Sequence, residues 1–243
     1  VQVHRNLLFL NVGEDYPESK FVLNKDVWAS PQTVVRVEAP TPEEALALLN
    51  ENEAQLLAIF DQAERDRFMA NAREFEDMSI KEQVTKLIGG SPTFPTGYSI
   101  KKISNNFIWI SYETTYTNQS ILLYTYPYES VDQFTAEEIA AKRNEVTKEN
   151  IPCTTENSYV IINPVIAPSS EWFKYNGRNF VETRGLWEAY NDFMGGPYVS
   201  HSFISQDGSK IVVLDAFVYA PRYNKRNYVK QVESIIYYFE WAK

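Results

Sequence analysis

Cysteine and histidine are nearly missing from this chain. Among 243 residues there is one cysteine, Cys153, and there are two histidines, His4 and His201. A lone thiol closes no intrachain disulfide and builds no thiolate metal cluster. Histidines almost two hundred positions apart form no His-Glu-x-x-His pair, and no EF-hand pattern is present. Nothing in the sequence therefore asks for a metal or a cofactor, although so many carboxylates leave an all-oxygen calcium site open. Cations are short as well: 23 Lys and Arg against 32 Asp and Glu give a net charge of −9. That balance excludes general nucleic-acid binding, which draws its affinity from neutralised phosphates. The local exception, Arg222, Lys225, Arg226 and Lys230, reads as a solvated helix entrance in preference to a phosphate site. No apolar run reaches the length of a membrane span, so membrane attachment would need an anchor outside the given residues.

What is present belongs to a folded protein. The apolar fraction is 44% and the aromatic fraction 14%, with 16 tyrosines and 14 phenylalanines, enough to bury a core and suited to sheet. The most structured stretch runs from Arg184 to Pro221. A Trp-bearing segment meets a Met194-Gly195-Gly196-Pro197 corner and then a strand. Asp207-Gly208 turns that strand back along a second one, which stops at a proline. Asp-Gly between apolar runs signals a hairpin with a primed turn. Pairing Gln206 with Ser209 places Ser200 opposite Asp215 and His201 opposite Leu214. Alternation puts His201, Phe203 and Leu214 on one face and Ser200, Ser202 and Asp215 on the other.

Elsewhere, Arg5–Val12 and Gln32–Ala39 read as strands, and the Trp28-bearing segment between them as loop. Thr41-Pro42-Glu43-Glu44 is a capping box that opens a helix to about Glu74. Ser79–Ile88 is a second helix. Strands follow at Tyr98–Ile103, Asn106–Tyr112 and Ser120–Tyr126. Thr135-Ala136-Glu137-Glu138 opens a third helix, to about Glu149. Ser158–Ile162, Phe180–Thr183 and Leu186–Tyr190 are strand candidates around a Pro/Ser loop, and an amphipathic helix through Val232 and Ile236 closes the chain. VRVEAP-TPEEALALL, LYTYPY-ESVDQFTAEEIAAK and AFVYAP-RYNKRNYVKQVESI share one grammar of strand, proline, polar link and helix. Proline cannot donate to a ladder, so it ends each strand. The expected fold is α+β: one antiparallel-rich sheet made of about three β-β-α units, helices on one face. A single domain over 1–243 is expected, with possible sub-units 1–78, 92–150 and 158–243.

Ser200, His201 and Asp215 suggest a hydrolase triad, but neighbours on a strand point to opposite faces, so neither serine can hand its proton to His201. A cross-strand bond between Ser200 and Asp215 is the expectation. No Gly-x-Ser-x-Gly elbow occurs. Gly195-Gly196 lacks the Lys-Ser/Thr and following helix of a phosphate loop and reads as a corner where backbone passes close to backbone. Arg184, Trp187 and Glu188 beside it admit two readings. They form a ligand wall, or Trp187 caps the core while Arg184 pairs internally with a carboxylate. The candidate binding residues are Arg184, Trp187, Glu188, Gly195, Gly196, Ser200 and His201; no catalytic or metal residue is expected.

RNLLFLNV, DVWASPQTVV, AERDRFMANA, FIWIS, LLYTYPY, AKRNEVTKENIP, ENSYV, RGLWEAYNDFMGGPYVSHSFIS and FVYAPRYNKRNYVKQVE together resemble the domain-of-unknown-function 4837 family of Bacteroidetes proteins. The family tends to have glycine where this chain has Cys153, and it carries a further segment before the first strand. The resemblance implies a cell-envelope lipoprotein, periplasm-facing or at the surface, with its cysteine anchor upstream, and it implies no chemistry. The expectation is a non-catalytic domain binding a partner protein or envelope polymer. The alternative is a hydrolase or small-ligand enzyme with a cleft near Arg184, Trp187 and Gly195-Gly196.

Overall fold

The computed structural model describes residues 2–242. The chain forms two compact units, Val1–Phe68 and Met69–Lys243. Among the described residues no helix is long and apolar enough to cross a membrane.

The first unit contains β1 (Asn6–Val12), β2 (Lys20–Lys25) and β3 (Thr33–Ala39) in the order β1-β3-β2. β1 runs parallel to β3 and β2 antiparallel to it. β2 occupies the stretch expected to be loop; its apolar run, Phe21-Val22-Leu23, is only three residues long and shows no alternation. The first β-β-α unit thus builds its own sheet instead of joining the main one. The helix expected from Thr41 to Glu74 is two helices, α1 (Pro42–Glu51) and α2 (Glu53–Glu74). Thr41 caps α1 as its spacing predicts, accepting from the Glu44 N–H at 3.2 Å. Asn52 ends it, its amide Nδ2 donating to the Leu48 carbonyl at 2.9 Å, a local bond that competes with helix continuation.

The second unit starts within α2 and continues through α3 (Met78–Ile88), β4 (Gly90–Ser91), β5 (Ser99–Ile103), β6 (Phe107–Glu113) and β7 (Asn118–Pro127). A 3-10 turn at Val131–Phe134 leads into α4 (Ala136–Asn150). Then come β8 (Tyr159–Ile162), β9 (Ser169–Tyr175), β10 (Arg178–Tyr190), β11 (Gly195–Ile204), β12 (Lys210–Tyr219), α5 (Arg226–Tyr237) and β13 (Glu240–Trp241). The main sheet has the order β5-β6-β7-β12-β11-β10-β8, with β9 also paired to β10. It curls into an antiparallel half-barrel. The two strands expected within 180–190 are one long strand, and β9 fills the expected Pro/Ser loop.

Ser200 pairs with Asp215 and His201 with Leu214, the register read from Asp207-Gly208. The turn itself is wider than a two-residue one. The Gly208 N–H donates to Ser205 O, Ser205 and Lys210 close the ladder, and only Gly208 of the pair has a left-handed φ, +73°.

Both faces of this sheet are covered. On one, α4 lies over Leu122, Tyr124, Val213 and Phe217, and Phe134 and Ile139 join that core. On the other, α5 covers His201, Phe180 and Glu182. The α+β class and antiparallel sheet stand as expected, but the helices do not share one face. β12 alternates two apolar sets, Val213 and Phe217 against Val212 and Leu214, all buried. Both surfaces of such a strand need a cover.

Candidate functional site

On the α5 face the structure gathers most of the ionisable groups of β10 and β11. Glu182 stands opposite His201, and because a carboxylate only accepts, His201 Nε2 carries the proton it shares with Glu182 Oε2 at 3.1 Å. His201 Nδ1 is left to accept from Arg178 Nη2 at 3.5 Å. Glu182 also accepts from Arg184 Nε at 2.6 Å and from the Tyr237 hydroxyl at 2.6 Å. Arg184 continues to Glu233 on α5 at 3.1 Å. Burial works against a charge on Glu182, but the bonds from His201 and Arg184 win and hold its carboxyl at about 2. Burial pushes His201 down to about 4 despite the neighbouring carboxylate, so at neutral pH the ring is uncharged. Arg178 lies among Phe180, Phe203 and Phe239, 4.6–5.2 Å from the ring centres. Its burial lowers the guanidinium to about 10.

On the α4 face Asp215 meets Arg143, not Ser200. Arg143 Nε donates to Oδ2 at 2.7 Å and Nη2 to Oδ1 at 3.2 Å. The expected Ser200–Asp215 bond is displaced because a bidentate guanidinium takes both carboxylate oxygens, a charge-assisted pairing that a neutral hydroxyl cannot match. Arg143 also sits over the Tyr198 ring at 4.0 Å. Burial disfavours its charge, yet the facing carboxylate outweighs that and raises its pKa.

The glycine corner is a seat for Trp187. Trp187 on β10 pairs with Gly196 on β11, and its indole Nε1 donates across that strand to the Val218 carbonyl of β12 at 3.1 Å. A Cβ on Gly196 would lie 2.0 Å from that carbonyl oxygen. Only glycine leaves room for the indole and both backbones, the close approach read from the Gly-Gly pair.

Beside this corner, at one end of the α4 face, opens a cleft of about 280 Å³. Trp109, Trp187, Phe217 and Tyr219 come from the sheet, and Met194 and Cys153 from the loops. The loop after α4 forms one wall and is clipped to β8 through Cys153 N–H to Ser158 O and Val160 N–H to Ile151 O. Burial, with Asp192 adding to it, pushes the Cys153 thiol up. A second hollow of about 510 Å³ adjoins it, sharing Trp109 and Pro152 and carrying Lys101, Lys102 and Lys148.

The seven candidate residues do not converge. Trp187 borders the cleft, over Gly195 and Gly196. Arg184 and His201 are on the far face, and Ser200 faces α4. Glu188 accepts from Asn163 Nδ2 at 2.6 Å and anchors a loop. Of the two readings of Arg184, internal pairing holds, so the cleft lacks the arginine an enzyme was expected to use there. Among the described residues no three His, Cys, Asp or Glu side chains gather as a metal site would.

The model of a domain of unknown function, DUF4837, matches residues 77–238, about two thirds of the chain. The chain belongs to the DUF4837 family. Its DUF4837 part comprises α3 to α5, with the main sheet and the cleft. A separate model, the domain of unknown function DUF8532, matches residues 1–73, so the family resemblance is narrower than the strings before Asp77 implied. No curated protein matches the chain. Among solved structures, a protein of Bacteroides thetaiotaomicron VPI-5482 is 13% identical, with a TM-score of 0.27, over 64% of this chain and 46% of that one. The chain thus spans under half of that protein's length. A point mutant of Mog1 is 10% identical, with a TM-score of 0.33, over 63% of this chain and 90% of that one.

Several residues escaped the sequence reading. Arg143 had a signal: it shares a helix face with Ile139, Thr147 and Asn150, and a cation in a buried stripe needs a carboxylate opposite it. Trp109, Lys102 and Lys148 had none, because their meeting depends on how the sheet curls.

Proposed function

We propose that the chain is a non-catalytic binding domain of the cell envelope, held there by a lipid anchor upstream of the given residues. It takes a partner protein or an envelope polymer through the cleft beside the glycine corner. One observation carries the binding half of this reading. His201, Glu182, Asp215 and Glu233, the groups best suited to acid–base work, are all buried and already engaged in ion pairs or hydrogen bonds. A general acid or base must reach the substrate's proton, and these groups face helices. The open cleft is instead walled by aromatic and apolar side chains, the composition of a recognition surface. Support for the envelope half comes from the family resemblance.

The test is capture of partners from native envelope by the full-length, anchored protein. Trp109→Ala, which alters the cleft, is expected to lose the partner, whereas His201→Gln keeps it. Retention by the Trp109 variant together with loss by the His201 variant overturns the reading. Labelling of the full-length protein with a radioactive fatty acid tests the anchor, and absence of label in a membrane fraction removes the envelope assignment.

A further inference from the structure

The two adjoining hollows differ in chemistry, and that difference specifies a ligand class. The smaller is apolar: Trp109, Trp187, Phe217, Tyr219 and Met194 line it. The larger carries the lysines. Lys101 is neutralised by Glu113 at 2.9 Å. Lys102 Nζ donates only to the Glu149 backbone carbonyl, at 3.4 Å, and Lys148 Nζ lies over the Tyr159 ring at 5.3 Å. Among the described residues no carboxylate stands within ion-pair distance of either. The Glu149 side chain is the acidic group on this rim, against two cations outside any pair. On a chain of net charge −9, a locally cationic rim beside an apolar floor runs against the general field. Cations left unpaired next to a recess select an anion that the recess also fits.

Building on the binding reading above, we propose that this cleft binds a small amphipathic anion. Its apolar body rests on the half-buried Trp109, Met194 and Tyr219, and its carboxylate, sulfate or phosphate lies between Lys102 and Lys148. The anion comes from a free acyl or aryl acid, or from an acidic side chain next to a large apolar one in a peptide; the chemistry is the same.

Two dyes separate the parts of the claim. Anilinonaphthalene sulfonate carries the apolar body and the charge, and phenylnaphthylamine carries the body alone. Both are titrated into the folded protein, with tryptophan fluorescence as a second signal. Cys153→Trp, which fills the cleft from its rim, is expected to block both dyes at unchanged melting temperature. The Lys102→Gln/Lys148→Gln variant alters two exposed side chains and is expected to weaken the sulfonate roughly tenfold, leaving phenylnaphthylamine unchanged. Equal effects of the lysine changes on both dyes, or on neither, overturn the anion inference and leave the binding reading standing. Indifference of both dyes to Cys153→Trp overturns the cleft itself. Competition by dodecanoate or by an acidic aromatic dipeptide identifies the source; displacement by neither counts against the proposal.

Discussion

Arg143 and Asp215 form a two-point ion pair, 2.7 and 3.2 Å long, with both side chains at 1% exposure or less. α4 and the central strand β12 are joined by it through the middle of an apolar core. A buried pair of this kind is strong evidence for specific placement and weak evidence for stability, because desolvation offsets the attraction. Asp215→Ala leaves a buried guanidinium alone and is expected to cost about 3–5 kcal/mol in urea unfolding. Arg143→Met combined with Asp215→Leu is expected to recover most of that loss. A double variant no more stable than Asp215→Ala would show that the charges themselves are needed.

Acid is expected to destabilise the protein in two stages. His201 is held at about 4 against 6.5 in the unfolded chain. Between those values the unfolded chain binds a proton that the folded one refuses, so stability falls as pH falls. The full span amounts to on the order of 3 kcal/mol. Glu182, at about 2 against 4.5, extends the loss below that window, since its depressed pKa stabilises the fold only where it is ionised. Unfolding free energies from pH 7 to about pH 2 check both stages. His201→Gln keeps a donor toward Glu182 and is expected to flatten the upper part of the curve; an unchanged slope would contradict the assignment.

Gly196→Ala tests the corner. A methyl group directed at the Val218 carbonyl must move β12 or eject the indole. Overpacking of this kind costs about 1–3 kcal/mol, and the Trp187 fluorescence is expected to shift to the red as the ring meets water. Gly177 has open space where a Cβ would stand, but its φ of +77° makes Gly177→Ala a control for strain without a clash.

Much of the second unit's framework was legible because its signals are local. Thr135 caps α4 by accepting from Glu138 N–H, and Asp207-Gly208 fixes the register from Ile204 to Tyr198 even though the turn is wider than expected. What distinguishes one face from the other was also legible, since His201 and Ser200 must diverge on a strand. The cover on each face was not. Nothing local states that α4 and α5 pass to opposite sides, and this decides that Asp215 meets Arg143 while Arg184 meets Glu233. The cleft follows the same rule: Trp187 and the glycines announced a corner, but the lysines opposite it arrive from β5 and α4. Only the curl of the sheet brings them there.

The central claim is that the groups able to move protons are sealed off. The two histidines allow a direct measurement: brief treatment of the native protein with diethyl pyrocarbonate, followed by peptide mass spectrometry. His4 is exposed and His201 has no accessible surface. The account predicts that His4 is carbethoxylated while His201 stays unmodified until denaturant is added. Modification of His201 in the native protein at a rate comparable with His4 would contradict it and make the His201–Glu182 cluster a candidate catalytic site.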